Sequence, residues 1–374
     1  MGARQKISFL IFVGHPAESP VEQMLALANQ AVALDTIEKA LSLDDCERVI
    51  VATGSTDFVN QIGSLPVVVE LDDEEFHYGK RLHQLIHKHK IEHPFYIGGG
   101  SAPLLPAEEI SRICQALLSE QNVVISNNFY SSDFVAFTPG VAIDKITLPD
   151  TDNNLAFPLH YQAGLSNKPL PRSAATQMDV DTPTDIMILQ LHPATGYHTR
   201  KFLQEINLDL SNLKAVLSVM NNRDAQLVVA GRLGAPAWSL IEARAACQTR
   251  IFAEERGMRA SGRDAAGKVR SLLGFYIESQ GMAKFFKMLA QIGDAALIDS
   301  RVIFQHLGLR LTASDRYNSD LLRAEEVQDP VAREFTAAAR DAPIPIVLGG
   351  HSLVAGGLWA LVDTAIAART RVNQ

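Results

Sequence analysis

Two aspartates one residue apart, Asp179 and Asp181, stand in the run Met178-Asp179-Val180-Asp181-Thr182-Pro183-Thr184-Asp185-Ile186. In an extended segment residues two apart share a face, so both carboxylates can address one cation. Pro183 suits the first position of a helix, and Asp185 falls in its first turn, where the helix dipole favours a carboxylate. The same residues also read as a plain capped helix start, with Asp181 or Thr182 as the N-cap. A second polar run, residues 126–133 (SNNFYSSD), follows a strand-like segment. There Asn127 and Asn128 could read a base or sugar and Asp133 could ligate a metal; an ordinary Asn/Ser turn is the alternative.

Three junctions in the last 150 residues share one pattern, a strand-like run ending in a polar loop: Gly231-Arg232, Asp299-Ser300-Arg301 and Gly349-Gly350-His351. If the three strands are neighbours, Arg232, Asp299, Arg301 and His351 converge on one cleft. Gly349 and Gly350 ahead of a helix would leave N–H groups open to an anion. His83 and His87 lie one helical turn apart, with His89 and His93 following. Lys80, Arg81, Lys88 and Lys90 surround them, so the cluster reads as a solvated basic helix face. The acidic run Asp72-Asp73-Glu74-Glu75 reads as a surface loop capping a helix.

The elements that must position these residues alternate in the first half. Strands are expected at Ile7–Val13, Arg48–Ala52, Leu65–Leu71, Phe95–Ile97 and Val123–Ile125. Helical spacing is expected over Glu18–Leu43, Gly79–Lys90 and Ala107–Leu118. Strands separated by helices imply right-handed crossovers and a largely parallel sheet. Asp133–Phe137 and Ala156–Tyr161 read as strands without an intervening helix, an antiparallel excursion or an edge. From Thr182 the chain is helical, and the polar cluster 221–224 marks a boundary between domains 1–222 and 223–374. The second begins with strand Gln226–Ala230 and continues with helices at Ala235–Arg256, Ala265–Ser279 and Met282–Ile292. It adds short strands at Ala296–Ile298 and Ile344–Leu348, and helix Ser352–Ala368.

Composition sets the outer limits. The 374 residues are 47% hydrophobic and 20% charged, which excludes a largely disordered chain. A net charge of −8 gives no basic stripe for nucleic acid. Three scattered cysteines argue against a disulfide framework or a cysteine zinc site. No apolar run reaches membrane-spanning length, and the apolar stretch at residues 7–13 reads as a buried strand rather than a signal peptide. A cytoplasmic protein is the expectation.

DVDTPTDI resembles the D-[IV]-D-T-P-x-D-[LIM] signature that ends the nucleotidyltransferase domain of MobA-like enzymes. Two further segments share the likeness. Residues 95–110, FYIGGGSAPLLPAEEI, are similar to that family's strand followed by G-D-x-P-L-L, and RVIVATGS resembles its second strand. The resemblance spans about residues 5–195. It implies a three-layer α/β/α fold of the nucleotide-diphospho-sugar transferase kind, followed by a mostly helical C-terminal region. It further implies NTP as substrate, Mg²⁺ on Asp179 or Asp181 as the catalytic carboxylates, and a phosphorylated small molecule as acceptor. Gly14, Gly99, Gly100 and Ser101 would lie on the nucleotide. Two departures stand out: Ser101 occupies the place of the family's metal-binding Asp, and the phosphate-loop segment 12–30, FVGHPAESPVEQMLALANQ, carries no Lys or Arg. Alternative readings are a sugar-nucleotide or glycosyl transferase on the same fold, and a ligand-binding protein without turnover. The C-terminal part would shape the acceptor pocket or carry a homodimer contact.

Overall fold

The computed structural model describes residues 5–14, 17–72 and 76–372. His15 and Pro16 of the expected phosphate loop, and Asp73, Glu74 and Glu75 of the acidic run, lie outside the described residues. The chain divides into two compact units: Met1–Pro16, Ala26–Asp179 and Gly196–Phe202 in the first; Ala17–Leu25, Val180–Thr195 and Leu203–Gln374 in the second.

The first unit is built on seven strands: β1 (Ile7–Val13), β2 (Cys46–Thr53), β3 (Val68–Leu71), β4 (Pro94–Gly98), β5 (Val123–Ser126), β6 (Phe134–Thr138) and β7 (Ser166–Pro169). They lie in the order β3-β2-β1-β4-β6-β5-β7, and only β6 runs antiparallel to its neighbours. Strands buried on both faces read as continuous apolar runs, and β1 (ISFLIFV) is buried throughout. Its alternate residues serve opposite layers. Phe9, Ile11 and Val13 pack with Ala33, Leu34 and Ile37 on one face. Leu10 and Phe12 pack with Leu82, Leu85 and Ile86 on the other. That division makes three layers, helix–sheet–helix.

The second unit has its own sheet of β8 (Gln226–Gly231), β9 (Gln248–Ala253), β10 (Ala295–Asp299) and β11 (Ile346–Gly349). All four are parallel, in the order β11-β10-β8-β9, and helices make up most of the rest. Val228, Ala230, Ile298 and Leu348 meet Phe285, Phe286, Ile303 and Phe335 on one face. Three sequence expectations fail locally. Ala156–Tyr161 is a helix, not a strand: its Pro158 gives the ladder no donor, whereas a proline costs little in a helix's first turn. The helix expected over Ala235–Arg256 stops at Arg244, and β9 follows, because QTRIFA pairs with β8 along its whole length. The helix expected over Ala265–Ser279 begins only at Leu272, after a run of turns closed by positive-φ Gly257, Gly262 and Gly267. Among the described residues no helix is long and apolar enough to cross a membrane.

Candidate functional site

In the first unit the connections reverse direction between β1 and β4, and ligands of open α/β sheets gather beyond the carboxyl ends of strands at such a point. The β1 end is Val13-Gly14, and Gly14 is exposed, with no described residue within 4 Å of where a Cβ would stand. Gly54, after β2, is equally open. The β4 end is different. A methyl on Gly99 would meet the Phe12 carbonyl at 3.2 Å, and one on Gly100 would lie 2.4 Å from Asn29 Oδ1. These two glycines admit other parts of the protein, whereas among the described residues nothing crowds Gly14 or Gly54.

Ser101 sits just past β4 and faces Asp179 across a lone antiparallel bridge; the Ala102 N–H donates to the Met178 carbonyl at 3.1 Å. The motif strand is thus fastened to the end of β4. Around it burial alternates as an extended segment requires: Met178 and Val180 are buried, Asp179 is half-buried and Asp181 exposed. A carboxylate that sequence reasoning missed joins Asp179 here. The Tyr96 hydroxyl, in β4, donates to Asp152 Oδ2 at 3.0 Å, and the same oxygen lies 3.7 Å from the Cβ position of Gly98. Tyr96 is held well above its ordinary pKa by burial first, then by Asp152 and Tyr78, with Asp179 adding to the push. Both carboxylates therefore bear on one buried hydroxyl. Asp152 lies in the loop TDNN, whose composition signals only a turn.

The polar run after β5 is largely spent on itself. Asn127 Nδ2 donates to Asp133 Oδ2 at 2.6 Å and to the Thr176 carbonyl at 3.0 Å, while Asn127 Oδ1 accepts the Asp133 N–H at 3.0 Å. Asn128 Oδ1 accepts from the Tyr130 N–H at 3.3 Å, the pattern of an Asx turn. These bonds order the loop, and Asn127 is buried behind it.

The division between the units falls after Asp179, and Asp181 belongs to the second. There Asp185 is the focus. It is fully buried, and its Oδ2 accepts from the Asp181 N–H (3.1 Å), the Thr182 N–H (2.8 Å), Thr182 Oγ1 (2.9 Å) and Ser352 Oγ (2.8 Å). Among the described residues its Oδ1 has no hydrogen-bond partner. Burial, with the charge of Asp181, raises its pKa to about 7 despite those donors. The acid that the sequence places in a helix's first turn is thus a buried capping group.

The three polar junctions of the second unit do come together, since β8, β10 and β11 lie side by side. Arg232 Nε meets Asp299 Oδ2 at 2.6 Å and its Nη2 meets Oδ1 at 3.0 Å. Asp299 is buried; burial works to raise its pKa, and Arg232 overcomes that and holds it below the ordinary range. His351 is kept neutral, its pKa lowered to about 4 by burial and by Arg232. Arg301 makes a matching fork to buried Asp320, 2.9 and 2.6 Å. The Gly349-Gly350 turn is filled rather than open: a methyl on Gly349 would strike Leu353 at 2.9 Å, and one on Gly350 would stand 3.0 Å from Thr182 Cγ2. Thr184 Oγ1 also donates to the Leu348 carbonyl at 2.6 Å. The two glycines let the start of helix Pro183–Leu191 approach β11.

On the helix Tyr78–Lys88, His83 Nε2 and His87 Nε2 both meet Asp144 Oδ1, at 2.8 and 2.7 Å. Among the described residues this is the one group of three His, Cys, Asp or Glu whose ligand atoms lie within 4.8 Å of one another. Its Asp144 comes from a turn 57 residues away, which spacing could not reveal.

No family model and no curated protein matches the chain. Similar solved structures include a cytidylyltransferase from Leptospira borgpetersenii serovar Hardjo-bovis, 13% identical, covering 54% of this chain and 94% of that one at a TM-score of 0.39. A 4-diphosphocytidyl-2C-methyl-D-erythritol synthase from Anaerococcus prevotii is 11% identical over 54% of this chain and 96% of its own, TM-score 0.38. A CMP:2-keto-3-deoxy-manno-octonic acid synthetase complexed with CTP is 12% identical, covering 54% of this chain and all of its own, TM-score 0.39.

Proposed function

We propose that the first unit binds a nucleoside triphosphate beyond the carboxyl ends of β1 and β4 and transfers its nucleotidyl group to a phosphorylated small molecule. The observation that carries this reading is the pair Asp152 and Asp179, fixed at the end of β4 beside the point where the strand order reverses. Two carboxylates completed by ligand phosphates are a donor set that Mg²⁺ accepts. Held by Asp152 and Asp179, that ion would supply neutralising charge for the triphosphate.

The chain's own contribution is positional. The bridge to Ser101 fixes Asp179, the Tyr96 hydroxyl fixes Asp152, and Gly14 and Gly54 leave the ends of β1 and β2 clear for a ligand. An acceptor phosphate is already anionic, so no general base is needed. Its oxygen bonds to the α-phosphorus as the bond to the β-phosphate oxygen breaks, and pyrophosphate leaves with that electron pair. A second reading, binding without transfer, is favoured by one observation: residues 12–30 offer no Lys or Arg to the leaving phosphates.

Thermal melts with each NTP, with and without Mg²⁺, combined with an assay for released pyrophosphate, separate the readings. Mg²⁺-dependent stabilisation with pyrophosphate release supports transfer, and stabilisation without release supports binding alone. Absence of any shift with every NTP refutes both. Asp179→Asn should abolish the Mg²⁺-dependent part of the shift. Asp181→Asn tests the other carboxylate of the motif: if it leaves that part unchanged, the first unit's carboxylates hold the ion without it.

A further inference from the structure

The second unit carries a feature that the reading above does not use. Counted in chain order, its strands lie 2-1-3-4, so the connections reverse between β8 and β10, and the space beyond their carboxyl ends is where an open sheet takes a ligand. The innermost charges there are closed off in pairs, Arg232 with Asp299 and Arg301 with Asp320. Arg301, just past the end of β10, also lines a cavity of about 440 Å³, with Arg310 and Arg316, the single carboxylate of Asp264, and apolar Phe304 and Leu311.

The charges on this wall do not balance. Asp320 answers Arg301, but Arg310 and Arg316 make no ion pair among the described residues; Arg316 Nη1 donates to the Leu311 carbonyl at 3.0 Å. The Asp264 carboxylate accepts the neighbouring Ala265 N–H at 2.7 Å. Arg316 is half-buried, and burial, then the charge of Arg301 and also that of Arg259, lowers its pKa. Three guanidinium groups at a cavity lined by one carboxylate leave fork-shaped donors for an anion, and their geometry suits a phosphate. The volume falls in the range of small-molecule sites, and the apolar wall gives such a ligand's body something to pack on.

We infer that this cavity is a phosphate site for a phosphorylated small molecule, with Arg310 and Arg316 gripping the phosphate and Arg301, fixed by Asp320, forming its floor. The inference stands apart from the proposed nucleotide site, because every residue it uses belongs to the second unit.

The test is calorimetric titration of inorganic phosphate into the full chain at constant ionic strength, without Mg²⁺, with chloride as the control anion. Saturable binding is expected, reduced at least tenfold by Arg316→Met and by Arg310→Met, and unchanged in Asp179→Asn. Because Arg316→Met could disturb packing, Arg310→Met at its exposed position serves as the second variant, and melting curves confirm that each is folded. No saturable binding by the parent chain, or undiminished binding by folded Arg310→Met and Arg316→Met proteins, overturns the inference.

Discussion

Raising the pH should loosen the second unit through one carboxyl group. Asp185 has a folded-state pKa of about 7 against an ordinary 3.8, because burial and Asp181 disfavour its charge. A group whose acid form is favoured by folding binds its proton more tightly in the native state. Its stabilising effect is therefore complete at low pH and lost as pH rises from the unfolded value through the folded one. Between about pH 5 and about pH 8 the loss is roughly 2–3 kcal/mol. For a unit of this size that is a fall in Tm of roughly 5–10 °C. Asp185→Asn removes the titration while keeping an oxygen for the Thr182 and Ser352 donors. Calorimetric melts of both proteins across this range check the expectation: the Tm of the parent, relative to the variant, should fall with rising pH. A difference that stays constant across the range, or that grows in the parent's favour, would refute the reasoning. It would mean that Asp185 ionises as an ordinary carboxyl and that its four donors outweigh its burial.

Two further perturbations follow from the packing. Asp299→Ala leaves the Arg232 guanidinium without its partner and should cost about 3–5 kcal/mol, read from chemical denaturation; a loss under about 1 kcal/mol would show that the arginine escapes to solvent. Gly196→Ala places a methyl 2.3 Å from Asp35 Oδ2, the oxygen that accepts the Thr199 N–H and hydroxyl at 3.0 and 2.6 Å. That crowding should cost about 1–3 kcal/mol in the same assay, and an unchanged midpoint would show that Asp35 moves aside freely.

What was legible in the sequence followed from periodicity. The apolar runs of β1, β2, β4 and β5 are buried on both faces, and such strands announce themselves by composition alone. The adjacency of β8, β10 and β11 was only the condition on which three similar junctions could meet, and the sheet order meets it. β9 was not legible: QTRIFA is only partly buried, and its pairing to β8 is a long-range choice that outweighs a helical local pattern. The glycines misled for a related reason. Gly99, Gly100, Gly349 and Gly350 look like room for a ligand, yet the space beside Gly99, Gly100 and Gly350 is taken by Val13, Asn29 and Thr182, partners distant in the chain, and the space beside Gly349 by Leu353, four residues on. Asp152 was invisible because only tertiary contact with Tyr96 distinguishes it from any other loop aspartate.

The interleaving of the two units bears on how this chain can be made and divided. Each unit collects three separate stretches, so no single cut releases either one whole. A fragment beginning at residue 223 would lack Thr184, which bonds the Leu348 carbonyl, and Asp185, which takes the Ser352 hydroxyl. On the ribosome, residues 180–195 must wait for β11 and Ser352, more than 150 residues later, before those bonds can close. The helix that follows the acidic motif is thus among the last parts of the second unit to be locked, although it is made early. Swapping either half into another protein would carry along an incomplete core.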